Sequence, residues 1–132
     1  MSVIKNKRGL SGVQFLDTAR ELQIFTTRKC VKFPKRYTFF ITSSIVQCAI
    51  NIHSYVKKGN SIFPSNADDA KLRREQFTLA IAELQNLISQ INVAYEMFPV
   101  ADRIMMQWME LIQKEISLVK NVIKKDKERY KF

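Results

Sequence analysis

Imidazole and thiol groups are scarce in this sequence, which holds one histidine, His53, and two cysteines, Cys30 and Cys48. A di-metal centre in a helical bundle draws on inward carboxylates and Glu-x-x-His pairs, and no such pair occurs. Zinc sites need two close ligand pairs, which Cys30, Cys48 and His53 do not form. The sequence contains no glycine-rich phosphate loop, nucleophile elbow or metalloprotease motif. Ser43-Ser44 has no adjacent base to activate it. Glu115 falls near an apolar stripe and reads as an edge residue reaching solvent. Trp108 and the pair Met105-Met106 read as core and flank, and His53 as an interface or surface histidine. These residue types predict a protein that is not an enzyme and takes no metal or cofactor.

Cationic side chains are the abundant chemistry: 22 Lys and Arg stand against 12 Asp and Glu, a formal net charge of +10. Such an excess favours a polyanion or an acidic protein surface as partner. Lys and Arg attract phosphates by counterion release, and Arg adds bidentate geometry. The excess is segregated along the chain. From Leu22 to Ala67 there is no acid, while Arg28, Lys29, Lys32, Lys35, Arg36, Lys57 and Lys58 all fall within that stretch.

The elements that must position these charges follow from three Phe-Pro pairs, Phe33-Pro34, Phe63-Pro64 and Phe98-Pro99. Proline pushes the residue before it out of the α region, so each pair marks a helix boundary. Ser11 with Gln14 forms a capping box, and Leu10 and Phe15 a hydrophobic staple, which opens a first helix over about Gly12 to Lys32. Pro34 opens the second helix, and Gly59-Asn60 is expected to end it through a left-handed cap. Ser65 or Asn66 caps the third, with Asp68 and Asp69 complementing its dipole, and the fourth starts after Pro99.

Periodicity agrees with this division. Phe77, Ala80, Ile81, Leu84, Leu87, Ile88, Ile91, Ala94, Tyr95 and Phe98 follow a 3-4 spacing on the third helix. Ile104 to Ile123 repeat it on the fourth, and Tyr37, Ile41, Ile45, Cys48, Ile52 and Val56 on the second. A chain of 132 residues, 46% hydrophobic, has material for one core and not two. Only 3 Gly and 3 Pro leave a small β-barrel without turn residues. The predicted fold is all-α, an up-down-up-down antiparallel four-helix bundle over residues 11–132, preceded by a basic extension over residues 1–10.

That topology gathers one set of helix ends at a single pole. Lys5, Lys7, Arg8, Lys57 and Lys58 meet there with Lys71, Arg73 and Arg74 and with Lys120, Lys124, Lys125, Lys127, Arg129 and Lys131. Dipole complementarity and solubility account for Lys57, Lys58 and part of the Lys120–Lys131 run. They do not account for Lys5, Lys7 and Arg8, or for Arg73 and Arg74 near a helix start. The pole is therefore the expected nucleic-acid contact. The other pole receives Arg28, Lys29, Lys32, Lys35 and Arg36, with Arg103 close by.

Two features exceed what a lone bundle needs. Phe39, Val46 and Ile50, with His53 beside them, fall opposite the core stripe of the second helix at 100° per residue. Between Gln76 and Tyr95 the third helix carries one charge, Glu83, and its outer positions include Gln85, Asn86, Ser89, Gln90 and Asn92. Interface cores avoid charge because it must be desolvated. Together the two faces predict a homo-oligomer.

Cys30 and Cys48 are not expected to pair. With a reversal near Phe33-Pro34 they lie roughly 15 Å apart at helical rise, against about 7 Å for a bridge. Met1 to Gly12 has no apolar segment of the secretory kind, which predicts a cytoplasmic protein. Tyr37 to Val56 carries no formal charge, but Thr42, Ser43, Ser44, Gln47, Asn51 and His53 interrupt it, so it reads as a buried helix with no membrane partner.

Phe33-Pro34-Lys35, then Thr42-Ser43-Ser44-Ile45, then Gly59 resemble a four-helix-bundle family. It contains the intervening-sequence proteins of large ribosomal RNA and the accessory variability determinant (Avd) proteins of diversity-generating retroelements. The resemblance covers all four helices in order and spacing. In the intervening-sequence branch the second helix ends in a Ser-Ile-x-x-Asn-Ile-Ala-Glu-Gly type of run. Here that stretch is Asn51 to Gly59, with Tyr55 and Lys58 in place of the Asn and Glu, which favours an Avd-like protein. The resemblance implies a basic bundle that forms a homopentameric ring, binds a retroelement reverse transcriptase, contacts RNA or an RNA-DNA hybrid, and does no catalysis itself. The alternatives are a protein-interaction bundle with an acidic partner and an intervening-sequence protein.

Overall fold

The computed structural model describes residues 13–132. Four long helices account for most of them: α1 (Gln14–Cys30), α2 (Ser43–Asn60), α3 (Ala67–Met97) and α4 (Asp102–Arg129). No strand occurs among the described residues, so the fold is all-α. Ser11, Leu10 and Gly12, expected to open the first helix, lie outside the described residues. Phe15, their expected partner, is buried and meets Phe77 edge-on with ring centroids 5.6 Å apart.

The Phe-Pro pairs do stand at the helix boundaries. Phe33-Pro34 lies between α1 and α2, Phe63-Pro64 between α2 and α3, and Phe98-Pro99 between α3 and α4. Two of the phenylalanines do more than interrupt a helix. Phe33 packs on Phe98 at 4.8 Å, and Tyr37 stacks on Phe98 at 5.3 Å. These contacts bring the α1–α2 and α3–α4 turns together and close that end of the core. Trp108 lies just beneath, fully buried, its indole N–H donating to Thr26 Oγ1 at 2.9 Å. A buried indole requires such an acceptor.

The second helix winds unevenly. A 3-10 turn at Lys35–Tyr37 and a π turn at Thr38–Thr42 precede the regular α2. The wider π turn delays the register. Ile41 and Ile45 then face the core, while Phe39 and Phe40 both remain outside. Over Lys35–Asn60 the chain is long and apolar enough to cross a membrane by length and composition, yet Ile41, Ile45, Cys48, Ala49, Ile52 and Val56 are core residues.

Helix α1 packs on α2, α2 on α3, α3 on α4, and α4 returns to α1. Leu22, Ile45, Ile52, Phe77, Leu84, Leu87, Ile91, Trp108 and Ile112 are fully buried between them. Asn66 caps α3 by accepting the Asp69 N–H at 2.8 Å, and Ser65 donates its hydroxyl to the Asp69 carboxylate at 3.2 Å. Both cysteines are free and buried.

Several expectations need correction. No left-handed cap ends α2, since no described residue has positive φ. The helix runs through Gly59 to Asn60, and its last carbonyls accept from Ser61 and Ile62 N–H groups instead. Gly59 is needed for packing: a Cβ there would lie 2.6 Å from Cε1 of Phe77. Tyr95 is exposed, because Ala94 and Phe98 take the core positions, and its hydroxyl donates to Asp102 at 2.6 Å. Glu115 does not reach solvent. It stands on the stripe of Ile112, Ile116 and Val119 and is fully buried.

Candidate nucleic-acid interface

At the end of the bundle formed by the α2–α3 loop and the last turns of α4, the structure is organised around one side chain. Arg73, near the start of α3, is buried and grips Asp126 of α4 with two nitrogens, Nε to Oδ2 at 2.7 Å and Nη2 to Oδ1 at 3.3 Å. Its Nη1 donates to the carbonyls of Gly59 at 3.2 Å and Ile62 at 3.1 Å. The guanidinium also lies 5.0 Å from the Phe77 ring centroid and 5.7 Å from that of Tyr130. A bidentate pair with both Nη1 hydrogens also accepted is the geometry in which a buried ion pair holds elements together.

This clasp ties the end of α2, the start of α3 and the end of α4 to one another. The basic side chains on those segments are thereby brought to one end. Lys57, Lys58, Lys71, Arg74, Lys120, Lys124, Lys125, Lys127, Arg129 and Lys131 are all exposed there. Arg73 itself is not available to a phosphate, which corrects its expected role. Its charge is paired with Asp126, and its Nη1 donors are taken by backbone carbonyls. Lys5, Lys7 and Arg8 lie outside the described residues. A cavity of about 250 Å³ opens beside the clasp, and Phe63, Lys125, Arg129 and Tyr130 are among its lining residues with Arg73 and Asp126.

Among the acids of this end, Asp126 is paired with Arg73. The Asp69 carboxylate accepts from neutral Ser65 groups, and Asp68, Glu75 and Glu128 are exposed. The exposed lysines and arginines outnumber these acids, so the end keeps a net positive field for an external anion.

The faces expected to join subunits are divided by the structure. Val46 is half-buried against the core, and His53 is half-buried with Nδ1 2.7 Å from Oε1 of Gln23 on α1. Neither is opposite the core, because a helix in a bundle packs on two neighbours and α1 covers this side. Burial, then Lys57 and Arg20, hold the His53 pKa below its ordinary value, which favours the neutral ring with Nδ1–H donating to Gln23. Ile50 is 39% exposed at mid-helix. Phe39 lies roughly 15 Å away along the axis at helical rise, in the turn at the other end.

On α3, Gln85, Ser89 and Asn92 are exposed, with Leu79 and Val93 on the same helix also open to solvent. Asn86 and Gln90 instead serve the α2–α3 seam. Asn51 donates to Glu83 at 2.8 Å, Asn86 donates to Glu83 at 3.0 Å and to Cys48 Sγ at 3.4 Å, and Ser44 donates to Gln90 at 3.2 Å. Part of the low charge on α3 is thus an internal polar seam.

The thiols are poor nucleophiles. Burial pushes the Cys30 pKa up to about 12, and burial with the Glu83 carboxylate pushes Cys48 up to about 11. Among the described residues, no group of three His, Cys, Asp or Glu stands close enough to hold a metal ion.

No protein-family model, curated protein or solved structure matches the chain. The functional reading therefore stands on the residues themselves. Sequence reasoning also missed the exposure of Phe40 beside Phe39. Its only signal was the Phe-Phe pair itself, since an α-helical wheel does not anticipate a π turn.

Proposed function

We propose that the chain is a non-catalytic, nucleic-acid-binding accessory protein. The observation that carries this reading is the Arg73 clasp, which neutralises Asp126 internally while assembling exposed lysines and arginines from three helices at one end. Cations gathered on a rigid surface bind a phosphate backbone without preference for sequence.

The up-down-up-down arrangement belongs to the same proposal. It is supported by the contact between the start of α3 and the end of α4, and by that between Thr26 late in α1 and Trp108 early in α4. The resemblance to Avd proteins supplies the finer terms: RNA or an RNA-DNA hybrid as ligand, a reverse transcriptase as protein partner, a cytoplasmic setting and a homopentameric ring. The exposed uncharged face of α3 with Ile50 is the surface offered to a second copy. Light scattering of the purified protein tests the assembly, and a monomer mass at micromolar concentration would refute it. Fluorescence anisotropy with a structured RNA over a salt series tests the binding. Affinity is expected to fall steeply with salt, and absence of binding at low salt refutes the reading.

A further inference from the structure

At the end of the bundle opposite the Arg73 clasp, two aromatic rings stand in solvent. Phe39 is 86% and Phe40 81% exposed, and their centroids lie 6.2 Å apart with planes at 64°. Consecutive residues of a regular helix diverge by 100°; here both sit on the π turn, outside the register of the core. The turn that carries them is anchored by aromatic packing. Tyr37 stacks on Phe98, and Phe98 packs on Phe33.

The surroundings are cationic. Lys32, Lys35 and Arg36 are exposed on the same α1–α2 turn and Arg28 in the last turn of α1, and the Arg36 guanidinium lies 5.3 Å from the Tyr37 ring. No carboxylate lies in the chain from Leu22 to Ala67; the exposed acids of this end, Glu96 and Asp102, stand on α3 and α4, with Asp102 accepting from the Tyr95 hydroxyl. An exposed pair of rings on a segment rich in cations is complementary to a ligand carrying both negative charge and flat apolar faces. We propose that this turn is a stacking platform for unpaired bases of single-stranded nucleic acid, with the flanking Lys and Arg on its phosphates.

The inference rests on the nucleic-acid reading above and sharpens it. Cations alone do not distinguish duplex from single strand, whereas rings do, since the base faces of a duplex are already stacked on one another. Aromatic side chains in single-strand sites bind by this means, with little sequence preference. A bilayer is the poorer match. Insertion draws on a broad apolar face, and the only exposed aliphatic side chain in this turn is Val31, with Thr38 and Ser43 polar beside the rings.

The test uses the full chain, an unstructured oligodeoxythymidylate and a blunt DNA duplex of equal length, read by fluorescence anisotropy over a salt series. Phe39→Ala with Phe40→Ala is expected to weaken single-strand binding about tenfold or more. Its salt slope and its duplex affinity should stay as in the parent chain, and Phe39→Tyr with Phe40→Tyr should restore the loss. Both positions are exposed, so unchanged helical circular dichroism and melting are expected as controls. Unchanged single-strand affinity in the alanine pair, or an equal loss for the duplex, overturns the platform while leaving nucleic-acid binding intact. No binding of either DNA by the parent chain overturns both readings. A drop in oligomer mass in the alanine pair assigns the rings to a second copy. Loss of sedimentation with phosphatidylserine vesicles, without loss of single-strand binding, assigns them to a membrane. Either result overturns the proposal.

Discussion

Neither carboxyl oxygen of Glu115 has a hydrogen-bond partner, and the side chain is fully buried among α4 core residues. Burial pushes its pKa up to about 9 from an ordinary value of 4.5; Lys114 opposes the shift and Glu21 adds to it. The folded protein therefore keeps a proton that the unfolded chain releases above about pH 4.5. Stability contributed at this site is full below that value and declines as pH rises toward about 9. The slope in that window is ~1.4 kcal/mol per pH unit, so the accumulated loss at pH 7 is about 3 kcal/mol. That is a large part of the roughly 5 to 15 kcal/mol that holds a domain of this kind together. Glu115→Leu removes the titration and the two unpaired oxygens while roughly conserving volume. Urea unfolding, followed by Trp108 fluorescence and helical circular dichroism, should find the variant more stable at pH 7 by about 3 kcal/mol. The gap should widen toward pH 8.5 and narrow toward pH 5, and Glu115→Gln should remove the pH dependence without the full gain. A parent-minus-variant difference that is flat between pH 5 and 8.5, or a leucine variant less stable than the parent, would refute the reasoning.

Two further perturbations probe the organisation of the basic end. Arg73→Met leaves the Asp126 carboxylate and the Ile62 carbonyl without their donor and takes one of two donors from the Gly59 carbonyl, and breaking a buried pair from one side costs about 3 to 5 kcal/mol. The urea midpoint should drop accordingly, and an unchanged midpoint would show that the clasp does not hold the helices. Gly59→Ala sets a methyl 2.6 Å from the Phe77 ring. Overpacking of that kind costs about 1 to 3 kcal/mol. Thermal melting should register it, whereas a neutral or stabilising effect would mean that the Phe77 ring gives way.

The helix boundaries and most of the core were legible because they are local. Pro34, Pro64 and Pro99 act on the residue before them, Asn66 caps within one turn, and the 3-4 spacing of Phe77 to Phe98 needs no knowledge of the neighbouring helix. What escaped the sequence depends on partners far along the chain or on irregular winding. Arg73 looked like another phosphate ligand, because nothing near it in sequence announces Asp126, 53 residues away. Glu115 lies on the core stripe by spacing, yet its residue type argued for solvent, and only the packed bundle decides between the two. Gly59 next to Asn60 has the composition of a left-handed cap, while the glycine is in fact required by an aromatic ring on α3. Phe40 required knowledge of the π turn, and the half-burial of Val46 and His53 required knowing which side α1 covers.

The central claim is that the lysines and arginines gathered by the Arg73 clasp bind a phosphate backbone. The measurement that tests it most directly is the affinity for a structured RNA against salt concentration, for the parent chain and for Lys124→Glu, Lys125→Glu, Lys127→Glu combined. All three side chains are exposed on the last turns of α4, so the fold should be unaffected. The parent is predicted to bind with log affinity falling linearly with log salt, and the triple variant to bind more weakly with a slope shallower by about two to three. Equal affinity and equal slope in the two proteins would contradict the account.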